Sequence, residues 1–371
     1  MQLRFNVGLL ALVALLGLTN EALAARQEFT KTINKEFPIT ADGFTELQNK
    51  YGNVTVRTWN QNKVKIDIVI KVQARDQSAA QTAFDRINVV FSNSASSVRA
   101  VTEIEASRGG WWNWGDSSND FKIYYDVYIP EQGSLTVGVK YGNVATAAIG
   151  GILNLDVKYG NIKADGADGQ TTIALSYGNG SLTRARNITI NVAYGDFTIG
   201  EAQEITARGR YGHYKIERAA NIRADSRYHG FEVQQANKFQ CDCGYDNLKF
   251  GQLGELIISG SYTDAEVRQL SRGMTLNLSY GDVEIDRLES GFSEIDVTVN
   301  YTDIKIGVDP AAQYSVDITG HYTDVNVPSS LSLSYDYEKS SSRQVKGQTG
   351  GGGGGVIRGK LSYGDFNLYK H

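Results

Sequence analysis

The stretch of sequence that decides the fold is ITINVAYGDFTIGEA, residues 188–202. Apolar side chains stand two, four and six residues before Tyr194 with polar residues between them, and this period of two predicts a β-strand. Apolar side chains recur three and five residues after Tyr194, so a second strand follows with the opposite parity. The change of parity requires a corner, and we expect Gly195 and Asp196 to supply its left-handed backbone. Ala202 completes the unit as an apolar side chain that turns inward.

The corner recurs at a nearly fixed period, as a Tyr followed by Gly or Thr and then by Asn or Asp. Successive copies are 17 to 21 residues apart as far as Tyr322, and 41 residues separate Tyr322 from the last copy at Tyr363. A fixed period of this size indicates a solenoid. The clear copies are centred on Tyr141, Tyr159, Tyr177, Tyr194, Tyr280, Tyr301, Tyr322 and Tyr363, and the looser copies on Tyr211, Tyr228, Tyr245 and Tyr262.

The repeats predict an all-β fold: a right-handed parallel β-solenoid of about twelve rungs of 17–21 residues, with an N-terminal β-rich cap that carries one helix. Right-handedness is expected because parallel crossovers within one sheet are overwhelmingly right-handed. A left-handed coil of hexapeptide repeats is the alternative, and the sequence lacks its six-residue subperiod. We expect the cap at residues 25–130 and the repeats at 131–371. A flexible Gly- and Ser-rich insertion at 338–355 is expected to tolerate shortening with little effect on melting.

The N-terminal part contains the residues that carry a family resemblance. Residues 44–56 hold an early copy of the corner at Tyr51, residues 76–88 have apolar side chains at helical spacing behind an Asp cap, and residues 127–130 lead into the repeats. This layout resembles the bacterial adhesin-like β-solenoid family of unknown function, over most of the chain after residue 24. The resemblance implies an exported bacterial envelope protein without an established activity, and it offers no catalytic residues.

The composition of the 371 residues limits the class of protein. Forty Gly, 21 Tyr and only four Pro favour many short strands over long helices. A formal net charge of −4 excludes the strongly basic face on which a nucleic-acid-binding protein depends. A hydrophobic content of 41% in a chain of this length is enough to build a large core. We therefore expect neither a nucleic-acid partner nor a cofactor.

The first 24 residues have the pattern of an export signal. Arg4 precedes an apolar run over residues 7–18, and Ala22-Leu23-Ala24 is a small-x-small site for signal peptidase. The run has 12 residues, and roughly 20 are needed to cross a bilayer as a helix, which favours a cleaved signal. A retained membrane anchor is the alternative. No later apolar stretch of the sequence is long enough to span a membrane. We expect cleavage after Ala24 and a mature protein that is periplasmic or extracellular, in the cell envelope.

Cys241 and Cys243 are the only cysteines, which is too few for the disulfide framework of a small secreted scaffold. Two residues apart on a strand, their side chains point to the same face, and so short a loop strains a disulfide. We expect buried thiols that act as small hydrophobic side chains. A strained or intermolecular disulfide and a metal site are the alternatives, and no cluster of His supports a metal.

Three of the four Trp residues stand together outside the repeats, at Trp111, Trp112 and Trp114, in a loop flanked by Gly. Indole rings on a loop suit stacking on a sugar or on another protein, so these three are candidate binding residues. The alternative is that the loop folds back and covers the end of the solenoid or the helix.

The corner residues form two columns along the rod. Asp residues at rung spacing could hold Ca²⁺, but one column offers too few of the six to eight oxygens that calcium needs, so we expect turn residues rather than a metal site. The Tyr rings are expected to stack as core packing with their hydroxyls in solvent, and an exposed aromatic strip that contacts a glycan is the alternative. The corner residues singled out are Tyr141, Tyr159, Tyr177, Tyr194, Asp196, Tyr280, Asp282, Tyr301, Asp303, Tyr322 and Asp324.

Two classes of function are compatible with this sequence. The favoured one is a non-catalytic, adhesin-like binding or structural protein of the envelope, whose partner is a cell-surface glycan or another envelope protein. The alternative is a polysaccharide lyase or glycosidase, because parallel β-helices host such enzymes. The four His residues are scattered and no Ser-His-Asp or metal-ligand spacing stands out, so we expect no enzyme.

Overall fold

The computed structural model describes residues 26–105, 121–350 and 353–371, and within them the chain is all-β with one helix. Its 22 strands belong to one hydrogen-bonded sheet in which successive rungs stack in parallel. This confirms the expected all-β, solenoid-like architecture, while its handedness and the number of its rungs stay predictions. The expected signal segment at 1–24 and the loop with Trp111, Trp112 and Trp114 lie outside the described residues.

The strands and the helix are numbered in chain order. The strands are β1 (Gln27–Pro38), β2 (Phe44–Lys50), β3 (Val54–Trp59), β4 (Lys63–Ala74), β5 (Ile87–Asn93), β6 (Ser97–Ile104), β7 (Phe121–Pro130), β8 (Ser134–Lys140), β9 (Val144–Thr146), β10 (Leu153–Lys158), β11 (Ile162–Ser176), β12 (Gly180–Ala193), β13 (Asp196–Gly244), β14 (Asn247–Ser261), β15 (Asp264–Leu288), β16 (Glu294–Val308), β17 (Tyr314–His321), β18 (Val325–Asn326), β19 (Ser332–Lys339), β20 (Ser342–Gln348), β21 (Gly355–Ser362) and β22 (Phe366–Lys370), and the helix is α1 (Gln77–Asp85). The longest strand, β13, runs through the corners at Tyr211 and Tyr228 and so covers more than one rung.

Neighbouring rungs stack with equivalent residues side by side. Between β12 and β13, Ile188 pairs with Ile205 and Ile190 pairs with Ala207, one repeat further along the chain. The alternating positions are buried as the period of two predicts, and Ile190 is 1% exposed. Ala202 and its counterparts in other rungs are buried as well, so the turn after each corner packs inward. This parallel register builds a continuous apolar core along the rod.

The left-handed residue of each corner is the Tyr itself, which corrects the expectation that Gly and Asn or Asp supply this conformation. The corner tyrosines have φ between 49° and 63°. Where a Gly follows, it allows the rungs to approach closely, because a Cβ on Gly160 would lie 1.8 Å from the carbonyl oxygen of Gly142 in the preceding rung. The Asn or Asp caps the next rung, as when the Asn161 backbone N–H donates to Asn143 Oδ1 at 2.8 Å. Close stacking of the rungs therefore explains the Gly and the Asn or Asp of these corners.

The first rung lies inside the segment that the sequence analysis assigned to the cap. β2 and β3 flank the corner at Tyr51 and pair in parallel with β8 and β9 of the Tyr141 rung. Between them, β4 pairs antiparallel with β1 and β7, and α1 packs against β4. Asp76 caps the helix by accepting a backbone N–H of the first turn, and Ala80 and Phe84 are its buried residues. Among the described residues, no helix is long and apolar enough to cross a membrane.

The rungs at the C-terminal end do not stack in chain order. β21 and β22, which carry the Tyr363 corner, lie between β16 on one side and β17 and β18 on the other. β20 then pairs antiparallel with β17, and β19 pairs with β20 at the outer edge. Residues 342–348 of the insertion that was expected to be flexible are thus a strand. The physical reason is that Val345 pairs with Ile318 and both side chains are buried.

Cys241 and Cys243 are joined by a disulfide bond, which corrects the expectation of free thiols. Their Cα atoms are 5.4 Å apart, within the range of about 4.4–6.8 Å usual for bridged cysteines. Both residues are almost fully buried, as the sequence predicts. The bridge therefore lies inside the coil, where the two inward side chains of one strand meet.

Candidate binding surface

The corner tyrosines form a continuous column, here called the tyrosine ladder. Each ring stacks on the next with centroids 4.6–5.2 Å apart and planes within 14° of parallel. The spacing matches that of neighbouring strands in a sheet, so the rungs set the period of the rings. In spatial order the ladder consists of Tyr51, Tyr141, Tyr159, Tyr177, Tyr194, Tyr211, Tyr228, Tyr245, Tyr262, Tyr280, Tyr301, Tyr363 and Tyr322.

The ladder is exposed, which corrects the expectation of core packing, although the expected stacking is confirmed. Apart from Tyr51, its residues are 40–64% exposed. The left-handed backbone is the cause. A strand continued without it would turn each Tyr inward, together with the residues two and four positions earlier. The corner conformation instead directs the ring out of the core.

A continuous stack leaves only certain parts of the rings accessible. Each ring face within the ladder is covered by the neighbouring ring, so a sugar cannot stack there. At one end Phe121 packs edge-on against Tyr51, with ring centroids 5.4 Å apart. At the other end Tyr322 stacks only on Tyr363 and is the most exposed member, at 64%. Along its length the ladder therefore presents ring edges and a row of phenol hydroxyls, each of which can donate and accept a hydrogen bond.

In most rungs the residue two positions after the ladder Tyr is Asn or Asp. These residues form a second column, here called the Asx column. Its side chains accept backbone N–H groups of the adjacent rung, as Asp264 Oδ1 does from Asp282 at 2.9 Å. The pKa of the Asp282 carboxyl is raised, first by partial desolvation and then by the neighbouring carboxylates of Asp264 and Asp303. The column is neutral at Asn53, Asn143, Asn161, Asn179 and Asn247, and it is acidic at Asp196, Asp264, Asp282, Asp303, Asp365 and Asp324.

Three lysines border the ladder at its Tyr51 end. Lys50, Lys140 and Lys158 each precede a ladder Tyr and stand side by side in adjacent rungs. Within the described ranges none of them has an ion-pair partner, and Lys140 Nζ lies 5.0 Å from the centre of the Tyr141 ring. They line an open groove of about 650 Å³ that also contains carboxylates. Adjacent like charges repel one another, so this column suits an anionic group, and the two ends of the ladder differ in charge.

The part of the chain that the structure describes contains no hydroxyl or thiol nucleophile hydrogen-bonded to a His side chain. Ser226 and His229 both contact Asp246, but the Ser226 hydroxyl donates to Oδ2 at 2.7 Å and the His229 backbone N–H donates to Oδ1 at 2.7 Å. The ring nitrogens of His229 have no hydrogen-bond partner, and burial lowers the pKa of His229 to about 4. These three residues therefore do not form a Ser-His-Asp relay.

The structure brings the predicted corner residues together, and the Trp candidates lie outside the described residues. The predicted tyrosines all lie in the ladder, and the predicted aspartates all lie in the Asx column. Sequence reasoning missed Lys50, His229 and Asp246. The signal was present, because Lys50 precedes the Tyr51 corner as other lysines precede later corners. His229 and Asp246 follow a corner Tyr at a position that is otherwise Gly or Thr.

The chain is similar to solved structures of bacterial proteins that are named for adhesion. No curated protein matches the chain. It is similar to the solved structure of a putative adhesin from Bacteroides fragilis, with 13% identity, a TM-score of 0.30 and coverage of 89% of this chain and 97% of that one. A putative adhesin from Parabacteroides merdae shows 10% identity, a TM-score of 0.36 and coverage of 74% and 96%. A putative cell adhesion protein from Clostridium sporogenes shows 8% identity, a TM-score of 0.19 and coverage of 92% of this chain and 100% of that one.

One family model covers most of the chain. The model described as Toastrack DUF4097 matches residues 46–369, from the first rung to the last strand. This match confirms the resemblance to an adhesin-like family of unknown function that the corner motifs indicate. Because it spans far more than half of the sequence, the chain belongs to the Toastrack DUF4097 family.

Proposed function

We propose that this protein is a non-catalytic, adhesin-like binding protein of the bacterial cell envelope and that the tyrosine ladder is its binding strip. The observation that carries the proposal is the exposure of the ladder, whose residues other than Tyr51 are 40–64% exposed in an unbroken stack. Aromatic side chains that are held at the surface in a fixed arrangement are typical of recognition surfaces.

The tyrosine ladder adds little to the stability of the fold. Left-handed backbone costs a residue other than Gly about 1–2 kcal/mol, and an aromatic pair contributes about 0.5–1.5 kcal/mol beyond the area that it buries. The two contributions nearly cancel at each rung. Asn adopts left-handed backbone with less strain and would serve a purely structural corner. The Tyr side chains are therefore best explained by what they contact outside the molecule.

An extended polysaccharide of the cell surface is the partner that suits this strip best. A row of phenol hydroxyls at rung spacing can hydrogen-bond to the repeated polar groups of a polymer that lies along the rod. Acidic sugars or phosphate groups on the same polymer would be attracted to Lys50, Lys140 and Lys158 at one end. Another envelope protein is the alternative partner, and it would leave a glycan array without signal.

The test combines a glycan array with a cell-surface attachment assay. The triple variant Tyr177→Asn, Tyr194→Asn, Tyr211→Asn removes three adjacent rings and places there a residue that tolerates left-handed backbone. We expect at least tenfold weaker binding with a melting temperature close to that of the wild type. The matched control is Ser181→Asn with Thr198→Asn, which pair on the outside of two of the same rungs. Unchanged binding by the triple variant would contradict the proposal.

We propose the Trp loop as a second contact for the same partner. Its described flanks lie at the Tyr51 end of the ladder, since Phe121 packs against Tyr51 and Ile104 lines the lysine groove. Changing Trp111, Trp112 and Trp114 to Ala should abolish attachment while the solenoid melts as before. Unchanged attachment in a destabilised triple variant would eliminate the binding role and leave the loop a structural cap.

The proposal includes export and excludes catalysis. The secreted protein should begin at Ala25, which the mass of the intact mature chain measures. An assay of polysaccharide degradation with the mature protein should yield no product. Reproducible release of oligosaccharides would instead favour the lyase or glycosidase alternative.

A further inference from the structure

Two adjacent rungs depart from the repeat at inward positions. From Tyr141 onward, the residue two positions before the corner Tyr is Val, Leu or Gly except at Ser226 and Cys243. The residue after the corner Tyr is Gly or Thr except at His229 and Asp246. All four residues, and Cys241 beside them, are at most 4% exposed. Places where a repeat breaks its own rule with chemically active residues are where function is expected.

The departures converge on one point inside the coil. Ser226 Oγ lies 2.7 Å from Asp246 Oδ2, 3.6 Å from Cys241 Sγ and 4.0 Å from Cys243 Sγ. One ligand atom each from Cys241, Cys243 and Asp246 lies within 4.8 Å of the other two. A buried carboxylate and two sulfurs close to a single hydroxyl are a set of potential metal ligands.

We propose that Cys241, Cys243 and Asp246 form a binding site for a thiophilic divalent cation such as Zn²⁺ when their disulfide is reduced. Zn²⁺ binds thiolates at about 2.3 Å and carboxylate oxygens at about 2.0–2.2 Å, so ligand atoms within 4.8 Å of one another can share one ion after small side-chain shifts. The Ser226 hydroxyl or a water molecule would complete four ligands. The disulfide and the metal are mutually exclusive, so the site reports the redox state of its surroundings.

The disulfide is replaced by the metal in two steps, reduction and metal binding. A two-electron reductant, a dithiol in the cell or a phosphine in vitro, converts the disulfide into two thiols. The dithiol becomes a disulfide, or the phosphine becomes its oxide with an oxygen atom from water. The cation then displaces both thiol protons to solvent, which leaves two thiolates and one carboxylate on the metal. Oxidising compartments favour the disulfide and reducing ones favour the metal.

The test is a titration of the full chain with Co²⁺, after reduction with a phosphine in the absence of oxygen. We expect one Co²⁺ per chain with a sulfur-to-cobalt charge-transfer band that added Zn²⁺ abolishes, and no band in the oxidised protein. Zn²⁺ should also raise the melting temperature of the reduced protein and leave that of the oxidised protein unchanged. A reduced chain that binds no Co²⁺, or that binds it without the sulfur band, would overturn the proposal.

Variants separate the site from the fold around it. Cys241→Ser with Cys243→Ser should abolish the band, and Asp246→Asn should weaken Co²⁺ binding at least tenfold. The matched control is Asp242→Asn, because Asp242 lies between the cysteines with a side chain that is 69% exposed and paired with Arg227. If the Cys variants fail to fold, the comparison of Asp246→Asn with Asp242→Asn decides, and equal binding by these two would overturn the proposal.

Discussion

Each corner divides three tasks among three consecutive residues. In the rung of Tyr159, the Tyr takes the left-handed backbone, Gly160 allows the preceding rung to approach, and Asn161 Oδ1 accepts the backbone N–H of Asn179 at 2.9 Å. Repetition makes the third task costly where Asp residues occupy adjacent rungs, because their carboxylates repel one another. Repulsion between these carboxylates therefore destabilises the acidic part of the Asx column.

Asp282→Asn should raise the melting temperature at pH 7. The pKa of Asp282 is raised above 3.8, first by partial desolvation and then by Asp264 and Asp303. Between 3.8 and this higher pKa the folded chain holds a proton that the unfolded chain has released, so stability falls as the pH rises through that window. The Asn variant lacks this loss. The gain in melting temperature of the variant over the wild type should be complete at pH 7 and vanish below pH 3.8, which thermal melts over a pH series measure.

Asp196→Asn is the matched control for this prediction. Asp196 stands in the same column, but its backbone N–H donates to Asn179 and its neighbour in the next rung is His213, so no carboxylate adjoins it. We expect little change in its melting temperature. An equal gain for both variants, or a gain for Asp282→Asn that does not depend on pH, would show that charge repulsion in the column is not the cause.

At the scale of the strand, Ile190→Asp should unfold the surrounding rungs while Thr198→Asp should be mild. Ile190 is 1% exposed and pairs with Ile173 and Ala207 in the adjacent rungs, so a charge there has no partner and costs more than about 4 kcal/mol. Thr198 lies on the outside, where substitutions usually change stability by about 0.5 kcal/mol. Chemical denaturation measures both, and Ile285→Asp should repeat the first result. Equal free energies of unfolding would refute the register.

The strands could be predicted from the sequence because alternation is a local property. Within residues 188–202, the alternation of apolar and polar side chains along each strand predicts which face is inward, and the structure buries the apolar face. The backbone of Tyr194 could not be predicted in this way. Local preference assigns left-handed backbone to Gly or Asn, whereas the rings that stack on Tyr194 belong to other rungs. The spacing of Cys241 and Cys243 likewise predicts that they share a face but not that they are bonded.

At the scale of the whole molecule, the order of the last rungs depends on contacts that the repeat does not encode. The rungs of Tyr301, Tyr363 and Tyr322 share one pattern, so any order would satisfy the alternation. The terminal rung also needs a cover, because an open edge recruits other chains. β20 covers β17, and at the outer strand β19 Asp336 is paired with Arg343 at 3.2 Å, which discourages further pairing. Composition alone predicted a flexible linker for much of this hairpin.

Replacing residues 329–350 by a short Gly-Ser linker should lower the melting temperature and cause end-to-end association. This is the reverse of what composition predicts, because Val345 and Ile318 are both buried and the loss of β20 would leave β17 with unpaired backbone groups. Light scattering over a concentration series measures the association. The matched control adds Gly residues to the run at 350–355, which keeps the hairpin and should change neither property. A shortened chain that stays monomeric and melts like the wild type would show that the hairpin does not protect the end of the solenoid.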